Sequence, residues 1–313
     1  MNKKLFFSAA IFACALTLSS CGNSKKTGQE STTTDSVTAS NFDFSGVYQT
    51  TPTDTISLGY YQSLSITPAD SLYDIVFSAS KVNGREGCSF TGKGHISNDT
   101  IFVDIDDAEN AVMTIIPTKD KLGVEVATLK EDNRMKLNFY CSGGATLAGT
   151  YLKNTVSNDH VGAVKQGETI GELLNNLPKE QVKKSEGHGE HAEDIFDDYT
   201  IYDQDGGELF VVTPKDRDNM QSSINRVLVK SLMFITDKGI SKLSSFGDVI
   251  KAYPDYKIEP TESEVVVNAG DNLSFSFDKK NLKEGWWNEK DKTVNLDKIP
   301  TDLKVKDFIV WWK

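Results

Sequence analysis

Few residues in this chain have the types and spacing that chemistry requires. Of four histidines, only His188 and His191 stand close together, within Glu186-Gly187-His188-Gly189-Glu190-His191-Ala192-Glu193-Asp194. Two imidazoles three residues apart among carboxylates suit Zn²⁺, Ni²⁺ or Cu²⁺ if the loop curls round the ion. The flanking glycines work against this, because ordering the segment costs about 1–2 kcal/mol per residue and nothing rigid holds the ligands. A solvated loop is therefore the expectation, with a metal site at His188 and His191 as the alternative. The acidic run Asp104, Asp106, Asp107 and Glu109 lacks the turn glycine that an EF-hand needs at its sixth position. Asp203-Gln204-Asp205-Gly206-Gly207 reads as a hairpin turn, since Asp-Gly and Gly-Gly suit positive φ. H-E-x-x-H, G-x-S-x-G, the phosphate-binding loop and the dinucleotide glycine fingerprint are all missing from the sequence. These residues point to a non-enzymatic protein with no cofactor, acting by binding.

Aromatic residues supply the one interaction candidate. Gly285-Trp286-Trp287-Asn288 lies in a polar stretch with Lys283, Glu284, Glu289 and Lys290 around it. Adjacent strand residues point to opposite faces, so one indole packed inward leaves the other outside, where an exposed Trp anchors a protein or sugar partner. The alternative is that Trp286 and Trp287 both cap a core. Trp311 and Trp312 end the last strand and read as core residues.

These side chains need elements to position them. From Phe42 to Lys153, short β-rich runs alternate with turn signals about every ten residues. The runs are Ser45–Thr50, Gln62–Thr67, Leu72–Ser78, Cys88–Gly94, Thr100–Ile105, Ala111–Ile116, Gly123–Thr128, Met135–Cys141 and Ala148–Leu152. Even spacing without a helical period predicts an antiparallel barrel or sandwich, with period two visible in Leu64, Ile66 and in Ile101, Val103, Ile105. Phe44-Ser45-Gly46-Val47-Tyr48 is echoed by Leu147-Ala148-Gly149-Thr150-Tyr151, as suits first and last strands that lie side by side. This rhythm resembles the small lipocalin-like (calycin) barrels of envelope lipoproteins. The resemblance implies an interior that holds a small ligand or is filled by its own side chains.

The second half, 159–313, carries an internal repeat. Thr169-Ile170-Gly171-Glu172-Leu173-Leu174-Asn175-Asn176-Leu177-Pro178 aligns without gaps on Ser245-Phe246-Gly247-Asp248-Val249-Ile250-Lys251-Ala252-Tyr253-Pro254, 76 residues on. Each copy reads as a short helix with an N-cap hydroxyl, an acid three residues later and a closing proline. Leu209–Val212 matches Leu273–Phe277 loosely, and Ser231–Ile235 matches Asp307–Trp311 at the same offset. Two units, about 159–240 and 241–313, are each expected to be a helix, a hairpin and a long final strand, giving an α+β layer with helices on one face of an antiparallel sheet. In layout this resembles the SmpA-type outer-membrane-assembly lipoproteins and the tandem β-lactamase inhibitory proteins. That resemblance implies action by binding and carries no functional residue across.

The amino-terminal segment reads as an address. Lys3 and Lys4 precede an apolar run, Leu5–Leu16, and small residues lead to Leu18-Ser19-Ser20-Cys21. The run is too short for the ~20 residues of helix that a bilayer core needs, so residues 1–20 are expected to be a cleaved signal peptide. The tetrapeptide resembles the lipobox of bacterial lipoproteins, which implies acylation of Cys21 and membrane attachment through lipid (diacylglycerol, palmitate-type) there. Without residues 1–20 the chain has 32 basic and 45 acidic side chains, a net charge of −13, which gives nucleic acid no electrostatic footprint. Residues 21–41 are polar and without period, a tether spanning on the order of 25 Å.

Gly22 and Asn23 after the cysteine imply, by the lipoprotein resemblance, the outer membrane, and Lys25 and Lys26 favour its periplasmic side over the surface. Asp35-Ser36-Val37 resembles a Bacteroidota O-glycosylation motif, with Ser36 as the acceptor, and Asp54-Thr55-Ile56, Asp70-Ser71-Leu72 and Asp99-Thr100-Ile101 share the pattern. Cys88 and Cys141 remain for an oxidising compartment. A disulfide between them is expected, with two buried thiols as the alternative. The expectation that follows is a lipid-anchored envelope binding or scaffolding protein with a protein or glycan partner. An inhibitor of a periplasmic or host hydrolase comes second, and a small-ligand carrier or metal-dependent enzyme third.

Overall fold

The computed structural model describes residues 42–312 apart from positions 55, 82–86, 107–109, 190–192 and 262–263. Eight antiparallel strands close a barrel: β1 (Gly46–Gln49), β2 (Gln62–Ala69), β3 (Leu72–Ala79), β4 (Ser89–Ser97), β5 (Thr100–Asp106), β6 (Ala111–Pro117), β7 (Gly123–Thr128) and β8 (Gly149–Lys153). Closure runs through β1 and β8, with Tyr48 opposite Lys153 and Gln49 opposite Leu152, so no edge is left to pair with another chain. Period two dictates the interior: Leu64 and Ile66, Ile75 and Phe77, Ile101 and Val103, Met113 and Ile115, and Val124 and Val126 all point inward and are buried. These side chains, with Phe44, Tyr48, Phe90 and Tyr151, fill the barrel as one core.

One expected strand is not a strand. Met135–Cys141 alternates as a strand should, yet Glu131–Tyr140 forms a 3₁₀ helix. Eight strands already close the barrel, and of the alternating residues only Leu137 enters the core, while Met135 and Phe139 stay exposed. Cys141, just past this helix, is disulfide-bonded to Cys88, which immediately precedes β4.

The rest of the chain supplies β9 (Thr155–Val156), β10 (His160–Val161), β11 (Val164–Lys165), α1 (Ile170–Asn176), β12 (Val182–His188), β13 (Ile195–Tyr202), β14 (Glu208–Pro214) and β15 (Ile224–Val229). It continues with β16 (Ile235–Thr236), α2 (Phe246–Ala252), β17 (Lys257–Pro260), β18 (Glu264–Ala269), β19 (Leu273–Asp278), β20 (Trp287–Asn288), β21 (Thr293–Val294) and β22 (Asp307–Trp311). An eight-stranded antiparallel sheet has the order β12-β13-β14-β15-β22-β19-β18-β17. Each repeat contributes four strands, and the two sets meet at the antiparallel pair β15–β22, where Leu228 lies opposite Ile309. Both helices cover one sheet face, Ile170, Leu173, Phe246 and Val249 packing into the same core as the sheet's inward side chains.

The repeated sequence motif has a physical reason. Thr169 with Glu172, and Ser245 with Asp248, form reciprocal capping boxes. The next two amides of α1 donate to Ser222 O at 3.0 Å and Met220 O at 2.8 Å, and those of α2 donate to Leu303 O and Thr301 O, both at 2.8 Å. A loop backbone thus lies directly on the first helical turn. A Cβ on Gly171 would sit 2.7 Å from Met220 O, and one on Gly247 3.0 Å from Thr301 O, so both motifs carry glycine.

Two details of the repeat differ from expectation. Each unit has four strands rather than three, because β12, which includes Glu186 and His188, pairs along its length with β13. The first unit's last strand is Ile224–Val229, not Ser231–Ile235. Met233 and Phe234 turn into the core and Ile235–Thr236 pairs in parallel with β9. The offset grows from 76 at the helix caps to 81 at the last strands, since the bridge Thr169–Ser223 corresponds to Ser245–Lys304.

The barrel and the repeat sheet are joined through buried polar groups. Asp120, at the β6–β7 turn, accepts from Thr118 Oγ1, from the Leu122 amide and from Gln181 Nε2 at 3.0 Å. Asn154 Nδ2 donates to Gln49 Oε1 and Met233 O, and Leu122 and Leu152 pack into the repeat core.

Candidate functional site: the open face of the repeat sheet

Strand alternation leaves one face of the eight-stranded sheet without helices. Val227, Val229, Phe308 and Val310 point to the helices and are buried, so Arg226, Leu228, Ile309 and Trp311 point the other way. Register aligns Thr200, Val211, Leu228 and Ile309 across β13, β14, β15 and β22. Val211, Leu228 and Ile309 are half-buried and belong to neither core cluster.

One charged group organises this face. The Arg226 guanidinium lies 4.5 Å from the Phe196 ring centre and 5.7 Å from that of Trp311, both within cation–π range. Its Nη2 donates to Asp198 Oδ1 at 3.0 Å and to Thr213 Oγ1 at 2.9 Å, and Nε donates to Thr213 at 3.1 Å. Thr213 in turn donates to Asp198. Nη1 takes no part in these bonds. The result is a held, partly desolvated cation, with Arg226 and Asp198 side chains each 20% exposed, beside an apolar row.

On the helix side, the outer strands carry a second charge cluster. The Asp197 carboxylate is 3% exposed and receives Lys184 Nζ at 2.8 Å and the Asp218 amide at 2.9 Å, with Arg217 Nε 3.7 Å away. Burial pushes this carboxyl up, but Lys184, the Asp218 amide and Arg217 together hold it below the usual carboxylate range. The cluster clamps the 215–223 loop against the sheet, which presents Met220 O and Ser222 O to α1.

The residues singled out by sequence are dispersed. His188 ends β12 opposite Ile195, its side chain 63% exposed and 3.8 Å from Glu186, which also binds Arg217. Glu186 and His188 therefore belong to a strand rather than a loop, while His191 lies outside the described residues. Among the described residues no group of three or more His, Cys, Asp or Glu side chains is placed to hold a metal ion. Cys21 and Ser36 also lie outside the described residues. Trp286 packs against the repeat core with Lys279 Nζ 5.5 Å from its ring centre. Trp287, in the β20–β21 hairpin, is half-buried and donates to Glu289 Oε2 at 2.7 Å. Trp312 is core, its Nε1 bonded to Asn158 O, but Trp311 is on the open face and departs from the core reading. The alternation Phe308, Val310, Trp312 against Ile309, Trp311 was the signal that separates them.

No protein-family model and no curated protein matches this chain. A solved structure, that of the uncharacterized protein yfeY from Escherichia coli, aligns over 51% of this chain and 99% of its own. The identity is 15% and the TM-score 0.34, a likeness too low to carry any inference about this chain.

Proposed function

We propose that this is a lipid-anchored cell-envelope protein of binding or scaffolding type, without catalytic activity, tethered through acylated Cys21 at the periplasmic side of an outer membrane. Its partner, a protein or glycan of the envelope, seats on the open sheet face. The observation that carries this reading is the row Val211, Leu228, Ile309, apolar and outside both cores, flanked by Arg226 between Phe196 and Trp311. Central aromatic and arginine side chains beside apolar surface are what binding hot spots are made of. Lipid confinement raises local concentration, so modest affinity suffices.

The test is crosslinking in intact cells followed by affinity purification of the acylated protein. A partner retained by wild type and lost by Leu228→Lys with Ile309→Lys is the expected result. Equal retention by that variant sinks the sheet-face assignment. Labelled palmitate incorporated into wild type but not Cys21→Ser tests the anchor separately.

A second reading, inhibition of a periplasmic or host hydrolase of lysozyme or protease type, is favoured by the β20–β21 hairpin. It interrupts the second repeat only and carries half-buried Trp287. Loss of the partner by Trp286→Ala with Trp287→Ala, and not by the sheet-face variant, supports this reading instead.

A further inference from the structure

Among the described residues, the four large apolar side chains most exposed to solvent are Ile56, Phe139, Met135 and Leu129, at 82, 79, 68 and 58%. All four lie on connections that leave one end of the barrel, β1–β2 and β7–β8, since every second turn of an up-and-down barrel emerges at the same end. We propose that the β7–β8 connection dips into the surface of a phospholipid bilayer, with Leu129, Met135 and Phe139 entering the acyl boundary and Lys130, Arg134 and Lys136 meeting headgroup phosphates. This rests on the membrane attachment proposed above and adds a second contact of the chain with the same bilayer.

The exposure is built rather than frayed, because the 3₁₀ helix Glu131–Tyr140 is held at three points. Leu137 is buried in the barrel core. Tyr140 meets the Phe90 ring edge-on, 4.8 Å between centres, and donates its hydroxyl to Ile105 O at 2.8 Å. Cys141 is disulfide-bonded to Cys88. A segment fixed in this way keeps Met135 and Phe139 outside. Burial of such side chains is favourable, so large apolar groups held in solvent mark a contact surface.

What covers them is decided by shape, charge order and reach. Side chains this exposed protrude, and they enter a soft lipid boundary without the matching hollow that a protein partner would have to supply. Cations alternate with the apolar residues in Leu129-Lys130 and Arg134-Met135-Lys136, and Lys136 Nζ lies 5.9 Å from the Phe139 ring centre. Lysine and arginine stems lie along apolar surface while their heads reach towards phosphate. The helix has two acids against these three cations, in a chain of net charge −11, and one of them, Glu131, is paired with Arg134 at 3.3 Å. The described chain enters at Phe42, at the opposite end of the barrel, and the longest strand, nine residues, corresponds to about 30 Å. A segment as long as 21–41 spans at most about 70 Å, so anchor and patch reach one surface.

The test is oxidative footprinting of the full chain by dilute hydrogen peroxide, with and without vesicles of phosphatidylethanolamine and phosphatidylglycerol. Met135 is expected to be oxidised several-fold more slowly on vesicles, while Met220, 45% exposed on the 215–223 loop, keeps its rate. Phe139→Asp, a change at an exposed position, is expected to abolish the protection of Met135. An unchanged Met135 rate on vesicles overturns the proposal, whether or not Cys21 carries palmitate. Slowing that arises without lipid and grows with protein concentration also overturns it, because a second copy then covers the patch. Protection by vesicles on a chain without palmitate supports the patch and sinks the anchor.

Discussion

Tyr48 and Tyr151 make the same bond at the two ends of the barrel chain. Tyr48 donates its hydroxyl to Phe44 O at 2.9 Å and Tyr151 donates to Leu147 O at 3.0 Å, each to the carbonyl four residues upstream. Between donor and acceptor lie Gly46 at φ +138° and Gly149 at φ +148°, conformations that favour glycine. The two echoing sequence motifs therefore build one turn twice, and the strands they launch are the pair that closes the barrel. Tyr151 shares its proton further with Gln62 Oε1 at 2.8 Å.

Removing either hydroxyl is expected to destabilise the barrel. Tyr48→Phe should cost about 1 kcal/mol, and Tyr151→Phe more, because it also strips Gln62 of a buried partner. Urea unfolding midpoints measure this, and unchanged midpoints in both variants would contradict the role assigned to the turns.

The same phenols set an alkaline limit. Burial pushes both pKa values far above the ordinary phenol value, with Asp43 adding to it at Tyr48 and Tyr60 at Tyr151. A raised folded pKa means that the contribution is fully present below the unfolded value, about 10, and is lost as pH rises towards the folded one. Titration of the ultraviolet phenolate band should show a late step coinciding with loss of near-ultraviolet circular dichroism, and smaller in either Phe variant. Ionisation of all ten tyrosines before unfolding would refute it.

Gly171→Ala and Gly247→Ala test the repeat motif. Helix propensity alone would make alanine better by about 1 kcal/mol. Contact with Met220 O at 2.7 Å and Thr301 O at 3.0 Å reverses the sign, so both variants should melt lower than wild type, Gly171→Ala by more. Calorimetric melting temperatures decide it, and a stabilised Gly171→Ala would show that the loop yields easily.

Asp197→Asn should cost about 1–2 kcal/mol at neutral pH, since it weakens the bonds from Lys184 and the Asp218 amide at a buried position, while Lys184 and Arg217, both partly exposed, keep Asp218 and Glu186 as partners. The Asp197 carboxyl has a lowered folded pKa, so its contribution is present above the unfolded value of about 3.9 and is lost as pH falls through the folded one. Wild type should therefore lose stability on acidification more steeply than Asp197→Asn, as denaturant curves at stepped pH would reveal.

Reduction of Cys88–Cys141, which spans 53 residues, should destabilise the barrel by up to about 4 kcal/mol in the chain-entropy model. A melting temperature insensitive to dithiothreitol, with free thiols confirmed by mass, would show that the crosslink adds nothing.

Much of the barrel was legible because its interior residues alternate, and alternation is a local property of the backbone. The 131–140 segment alternates equally well but has no strand position left to fill, since closure of eight strands is a property of the whole sheet. The capping boxes at Thr169 and Ser245 were readable for the same local reason, as each is completed within four residues. The loop carbonyls that explain the motif glycines, from Met220 and Thr301, are about fifty residues away in sequence and left no pattern to read.

The candidate sites divide in the same way. His188, Trp286 and Trp287 stand out in sequence as residue types, and the structure places them on an edge strand and on a hairpin rather than in one pocket. Arg226, Phe196 and Trp311 are ordinary residues in sequence and meet only because β13, β14, β15 and β22 lie in that order.

By itself, then, the sequence determined what depends on neighbours along the chain: strand period, helix caps, turn residues, the repeat and the overall charge. Tertiary structure alone decided which strands close the barrel, which face of the repeat sheet the helices leave open, and that Met135 and Phe139 stay outside a filled barrel. Those outcomes follow from packing and register between segments distant in sequence, and no local pattern encodes them.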